Sequence, residues 1–112
     1  MRLRLKVSKR ARFDITSIWY FMVKGNQNPR GAKAFLEEFK KQTKMVVEFS
    51  EMRPLCSDPA LADNGVRSFP VTKSYVALYR IADDEICVLR VFHQASEYAK
   101  LARIDLENDW SD

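Results

Sequence analysis

Arg80, Arg90 and His93 lie in one stretch, "YRIADDEICVLRVFHQ" at residues 79–94, and His93 is the only histidine of the chain. Guanidinium groups hold phosphate or carboxylate through forked N–H donors, and an imidazole moves a proton near neutral pH. A metal-free ribonuclease needs only basic residues and one acid or base around the scissile phosphate, so phosphodiester cleavage is the first chemistry to test. No serine or cysteine sits in a recognisable nucleophile elbow, and the chain has no glycine-rich phosphate loop. The two cysteines, Cys56 and Cys87, lack C-x-x-C spacing, so no metal site and no cofactor is expected. Cys87 reads as a small core residue and Cys56 as a free loop thiol.

The elements that position these residues follow from hydrophobic period. "RLRLKV" alternates Arg2, Arg4 and Lys6 with Leu3, Leu5 and Val7, a strand with one wet face. From Lys9 to about Val23, Ala11, Ile15, Ile18, Trp19 and Met22 form one stripe of a helix that Ser8 can cap, and "GNQNP" breaks it. Asn28 before Pro29 predicts the start of a second helix, with the stripe Ala32, Phe35, Leu36, Phe39, Thr43, Val46 and Val47 and an end near Glu51. "MRPLCSDPALADNG" reads as a long connecting loop. Three strand patterns follow, "VRSFPV", "SYVALYRI" and "EICVLRVF", turned at Thr72-Lys73 and Asp83-Asp84. Pro70 cannot donate to a ladder, so it belongs at an open edge or the very end of its strand. The order β-α-α-β-β-β defines an α+β fold, a helical hairpin on one face of a small, mainly antiparallel sheet, with a short helical piece near residues 96–102.

Strand parity then separates the opening three. With Asp83-Asp84 as a two-residue turn, Ala82 pairs with Glu85 and Arg80 with Cys87, which leaves Arg80 and His93 on one face but roughly 20 Å apart. Absent a bulge, Arg90 points with Ile86, Val88 and Phe92, and His93 points the other way. If Val71 pairs with Tyr75, Arg67 lies opposite Tyr79, and Arg67 and Arg90 share a face around that ring, about 12 Å apart. Arg67, Tyr79, Arg80 and Arg90 are therefore the candidate partner-binding residues. The alternative is that the arginines pair with local glutamates or cap the sheet edge.

Composition bounds the partners. The 112 residues suit one small domain, and no apolar run approaches the roughly 20 residues of a membrane span. "MRLRLKVSKR" alternates charge where a signal peptide has an apolar block, so a cytoplasmic location is expected. Residues 102–112 hold Arg103 against Asp105, Glu107, Asp109 and Asp112, a local charge of −3 that leaves +7 of the total +4 on residues 1–101. The expected division is one domain over 1–101 and an acidic tail over 102–112, with Trp110 in the tail. A basic body suits an anionic partner, either nucleic acid or an acidic protein segment.

The element order, "SKRARFDITSIW" opening the first helix, and above all "GVRSFPVTKSYVALYRIADDEICVLRVFH" resemble the RelE/ParE superfamily of type II toxin-antitoxin toxins, over residues 2–98. The resemblance implies a small basic toxin neutralised by a cognate antitoxin that wraps its surface. RelE-like members cut mRNA in the ribosome, and ParE-like members poison DNA gyrase without a nuclease site. RelE-like ribonucleases carry alternate cations before the central strand; here Arg67 occupies the first place, but Phe69 and Val76 stand at the next two. "R-S-F-P-V", "Y-V-A-L-Y-R" and "L-R-V-F-H" are similar to the ParE branch, although Gln94, Ser96 and Glu97 replace the usual Gly, Arg and Asp after the histidine. The resemblance therefore implies a ParE-like toxin that binds gyrase and is not an enzyme. The alternatives are a ribosome-dependent endoribonuclease using Arg67, Arg90, His93 and Tyr98 on mRNA, or a non-toxic binding or regulatory module with the toxin fold.

Overall fold

The computed structural model describes residues 3–107. Strand β1 (Arg4–Val7) leads into helix α1 (Lys9–Tyr20), which widens into a π-helical turn over Phe21–Gly25. The helix therefore runs slightly past the expected end at Val23. Helix α2 (Pro29–Glu48) begins on Asn28, whose side chain accepts the Gly31 N–H, and Pro29 occupies the first turn as its fixed φ favours. The connecting segment contains a short helix α3 (Pro59–Asp63) where a loop was expected; Asp58 accepts the Leu61 N–H and Pro59 follows it. Strands β2 (Val66–Val71), β3 (Tyr75–Ala82) and β4 (Glu85–His93) form the meander, and α4 (Tyr98–Glu107) closes the described chain.

The sheet order is β1-β4-β3-β2, with β1 parallel to β4 and the other pairs antiparallel. Ala82 pairs with Glu85 as the Asp83-Asp84 turn predicts, and Val71 pairs with Tyr75 across a three-residue turn, Thr72 to Ser74, one residue longer than the expected Thr72-Lys73. Asp83 (φ 55°) and Thr72 (φ 57°) sit in the left-handed region at those turns, a conformation aspartate tolerates better than most residues. Pro70 lies near the end of the outer strand β2, where no second ladder needs its missing N–H.

Helices α1 and α2 cover one face of the sheet. Ala11, Phe35, Phe39, Val46 and Val47 pack there against Phe69, Val71, Tyr75, Ala77, Tyr79, Ile86, Val88 and Val91. The stripes expected on α1 and α2 face this core, with Ile15, Ile18, Met22 and Leu36 half-buried against it, although Trp19 remains 38% exposed. The second face carries its own core of Leu61, Val66, Val76, Leu78, Leu89, Phe92 and Ala102, supplied in part by α3 and α4. Cys87 and Cys56 both pack at the margin of this second core, and neither is in a disulfide. The boundary expected between residues 101 and 102 falls inside α4, because Ala102 is fully buried and Asp105 is 4% exposed. Residues 108–112, Trp110 included, lie outside the described residues.

One irregularity decides which face each later residue of β4 takes. Tyr79 pairs with Val88 but Leu78 pairs with Arg90, so Leu89 is an extra residue on β4. Its carbonyl is taken up by Ser8: the Ser8 backbone N–H donates to Val88 O at 3.0 Å and Ser8 Oγ donates to Leu89 O at 3.0 Å. The same hydroxyl accepts the Ala11 N–H at 3.0 Å, so one buried serine ends β1, starts α1 and holds the bulge. Replacing Ser8 by Ala removes both bonds from a site 3% exposed, and it should lower the unfolding free energy by about 2 kcal/mol in urea titration, with little change in slope.

Candidate functional site

The bulge overturns the expected convergence of Arg67 and Arg90. Beyond Leu89, parity flips, and Arg90 shares a face with Leu78 and Phe92, not with Ile86 and Val88. Arg67, opposite Tyr79, stays on the α1/α2 side, so the two guanidinium groups leave the sheet in opposite directions. Arg80 pairs with Val66 and Cys87 on the second face, and His93 is on the first. Arg80 and His93 therefore do not share a face either. Arg90 and His93 do point apart, as parity before the structure required.

Each of these residues has local work in the fold. Arg90 donates from Nε to Asp14 Oδ2 at 2.7 Å, from Nη2 to Asp14 Oδ1 at 3.2 Å, and from Nη1 to Asp105 Oδ2 at 2.6 Å. Its guanidinium carbon lies 4.5 Å from the centre of the Phe92 ring. Burial alone would lower the Arg90 pKa, but the two carboxylates outweigh it and hold the cation more firmly than usual. Arg10 binds the other Asp105 oxygen at 2.5 Å, so α1, β4 and α4 meet in a four-residue ion cluster. Arg103 of α4 also pairs with Asp58 beside α3. His93 accepts the Ala95 N–H on Nδ1 at 3.0 Å and meets Tyr75 edge-on at 5.2 Å, and the Tyr98 ring stacks on Phe92 at 6.2 Å. The four residues of the nuclease alternative are thus divided between two faces.

On the far side, the segment after α2 fastens the outer edge of β2. Arg67 Nη1 donates to Arg53 O at 2.5 Å, Arg53 Nε donates to Ser68 O at 3.0 Å, and the Cys56 N–H donates to Val66 O at 2.9 Å. Tyr79 is fully buried and its hydroxyl donates to Ser50 O at 2.9 Å, so its ring offers no surface to a partner.

One hollow open to solvent is a groove of about 410 Å³ between α1, the last residues of β4 and α4, and a larger one of about 660 Å³ lies along α2 at Lys40, Lys41, Lys44 and Met45. Phe13, Ile18, Phe21, Val91, His93 and Leu101 line the groove. Phe13 is 71% exposed and Phe21 54%, far more than ordinary for rings that form no core. The groove exists because β1 stops at Val7 and leaves the end of β4 without a neighbour. Yet the backbone there is already occupied: Asp14 accepts the Val91 N–H at 3.0 Å, and Ser96 donates to His93 O at 2.7 Å. A partner entering the groove meets side chains and not a ready ladder. Phe13, Ser17, Tyr20 and Phe21 recur at helical spacing on the side of α1 away from its core stripe, a second stripe that the reading of α1 passed over.

Burial holds the Tyr79 hydroxyl above its ordinary pKa of 10.0, with the Arg67 and Arg53 cations opposing in part. An acid whose folded pKa is raised contributes stability that is full below the unfolded value and is lost as pH rises through the folded one. The protein should therefore lose stability on titration above about pH 10. Tyr79→Phe should cost about 1 kcal/mol at pH 7 through the lost bond to Ser50 and should flatten the alkaline fall, leaving a remainder from Tyr75, which burial also raises. Denaturant midpoints across pH 7 to about 11 measure both effects.

Comparison with known proteins places these features in a family. Residues 5–98 match the family described as the ParE toxin of the type II toxin-antitoxin system, parDE. No curated protein matches the chain. In fold it is similar to a chain of the chromosomal ParDE TA system from P. aeruginosa, at TM-score 0.61 and 23% identity over 82% of this chain and 96% of that one. It is also similar to a chain of the toxin-antitoxin complex RelBE2 from Mycobacterium tuberculosis, at TM-score 0.56 and 20% identity over 84% of this chain and 100% of that one. With most of its length matched, the protein belongs to the ParE family of type II toxin-antitoxin toxins.

Proposed function

We propose that the protein arrests growth by binding DNA gyrase, without cutting a bond, and that a cognate antitoxin neutralises it by filling the groove between α1, β4 and α4. The observation that carries the first half is the engagement of Arg67 and Arg90 on opposite faces, each bound to groups of its own fold. A nuclease site needs cations and a proton carrier within reach of one phosphate, and this arrangement favours a binding toxin over a hydrolytic one. The family match over residues 5–98 supports the same branch. Gyrase as target implies action in the cytoplasm, and no helix among the described residues is long and apolar enough to cross a membrane.

The groove supports the second half. Its exposed phenylalanines suit apolar anchors of an amphipathic segment, and the net charge of +6 on residues 1–107, α4 included, suits an acidic one. Phe13 is the natural anchor contact, being the most exposed ring in the lining.

Expression without the antitoxin should stop growth, with accumulation of gyrase-DNA cleavage complexes, and purified protein should inhibit supercoiling. Cleavage of mRNA on translating ribosomes, abolished by His93→Ala or Arg67→Ala, would overturn this reading in favour of the ribonuclease. Unchanged growth would favour a non-toxic module. Phe13→Glu should weaken the antitoxin complex about 30-fold, or about 2 kcal/mol, in calorimetric titration while leaving the fold intact.

A further inference from the structure

The exposed side of α2 carries a charge pattern that neither the groove nor the ion cluster uses. Arg30, Lys33, Glu37, Lys40, Lys41, Lys44 and Glu48 recur at steps of three, four and one, which places all seven on one side of the helix, opposite Phe35, Phe39, Thr43 and Val46. All seven are exposed. Glu37 meets Lys33 only at 4.0 Å, in full solvent, and among the described residues Lys40, Lys41 and Lys44 enter none of the ion pairs. The stripe holds five cations against two carboxylates, on a rigid helix of 20 residues anchored along its other side by the core.

We propose that this stripe is a contact surface for the sugar-phosphate backbone of double-stranded DNA, independent of base sequence. The spacing fits: Lys40 and Lys44 stand about 6 Å apart along the axis and Lys33 to Lys44 spans about 16 Å, close to successive phosphates along one edge of a duplex. The chemistry of the stripe selects among anionic polymers. Single strands are held by aromatic stacking platforms, and the stripe has no ring. Double-stranded RNA is recognised partly through its 2′-hydroxyls, and the stripe offers ammonium groups, one guanidinium and carboxylates, with no amide or hydroxyl among its members. An acidic peptide needs apolar anchors at the centre of its footprint, whereas the stripe's members are all charged and Met45, 38% exposed, lies at its margin beside Lys41 and Lys44. Lysines acting as point charges are what a phosphate backbone requires. This surface is separate from the groove and does not depend on gyrase being the target.

The test is a fluorescence-anisotropy titration of the full chain onto a 20-base-pair mixed-sequence DNA duplex between about 50 and 200 mM salt. Binding should be measurable at the low end and should weaken with a log-log slope of about −3 to −4, as expected for four or so neutralised phosphates. Lys40→Gln/Lys41→Gln/Lys44→Gln should bind at least ~10-fold more weakly at 50 mM and lose about 2 to 3 units of slope. These side chains are exposed and glutamine is a good helix former, so far-ultraviolet circular dichroism should be unchanged. A control with the same charge change, Lys24→Gln/Lys73→Gln/Lys100→Gln, should retain most of the affinity. An equal loss in the control would reduce the effect to net charge and overturn the proposal. So would the absence of binding at 50 mM, or tighter binding of double-stranded RNA, single-stranded DNA or poly-glutamate than of the duplex.

Discussion

The guanidinium of Arg90 is shared between a carboxylate of the first helix and a carboxylate of the last. Asp14 takes two of its donors, Asp105 a third, and Arg10 closes the set from α1. Arg90, Asp14 and Asp105 are little exposed, so loss of one leaves its mate in a poorly solvated place, whereas Arg10 keeps its outer side in water. The cluster thus makes three elements distant in the chain interdependent. It holds α4 over the second core, and it turns Asp14 so that one of its oxygens also takes the Val91 N–H at the open end of β4. The groove inherits its floor and one wall from this arrangement.

Beneath the cluster lies a matter of counting. Arg90 reaches Asp105 only because Leu89 is inserted in β4, and Leu89 is accommodated because Ser8 satisfies its carbonyl. Were Leu89 paired as an ordinary strand residue and not bulged, the arginine would face the aromatic side of the sheet, against Tyr79 and Phe69. A cation in that layer would cost several kcal/mol. The bulge therefore converts a residue that alternation would place in the wrong core into the tie between the two layers of helices.

Much of the fold was legible because it rests on local or periodic signals. The stripes of α1 and α2, the Asn28-Pro29 start and the two hairpin turns are each fixed by neighbours within a few residues. The start of α3 was legible by the same rule, Asp58 before Pro59, but the surrounding prolines and aspartates read equally well as loop. The bulge carries no such mark: "CVLRV" contains no glycine or proline, and its cause is a serine 81 positions earlier. Asp105 looked like part of a solvated acidic tail for a related reason, since the arginines that bury it come from positions 10 and 90. Of the candidate site, Arg67, Tyr79 and Arg90 each hold groups of their own fold, contacts made by residues far along the chain, and the exposed rings of the groove carry no mark beyond a second helical stripe on α1.

The bulge also bears on how relatives of this protein can be compared. Two chains with the same arginine at the same distance from the hairpin turn present it on opposite faces when only one of them bulges at the residue before it. A substitution table built column by column would treat such arginines as equivalent, and would transfer the role of one to the other across a sheet that separates them. The count of residues between the turn and the histidine says little by itself; the serine that ends the first strand, able to donate to the displaced carbonyl, is the feature to match before any role is carried across.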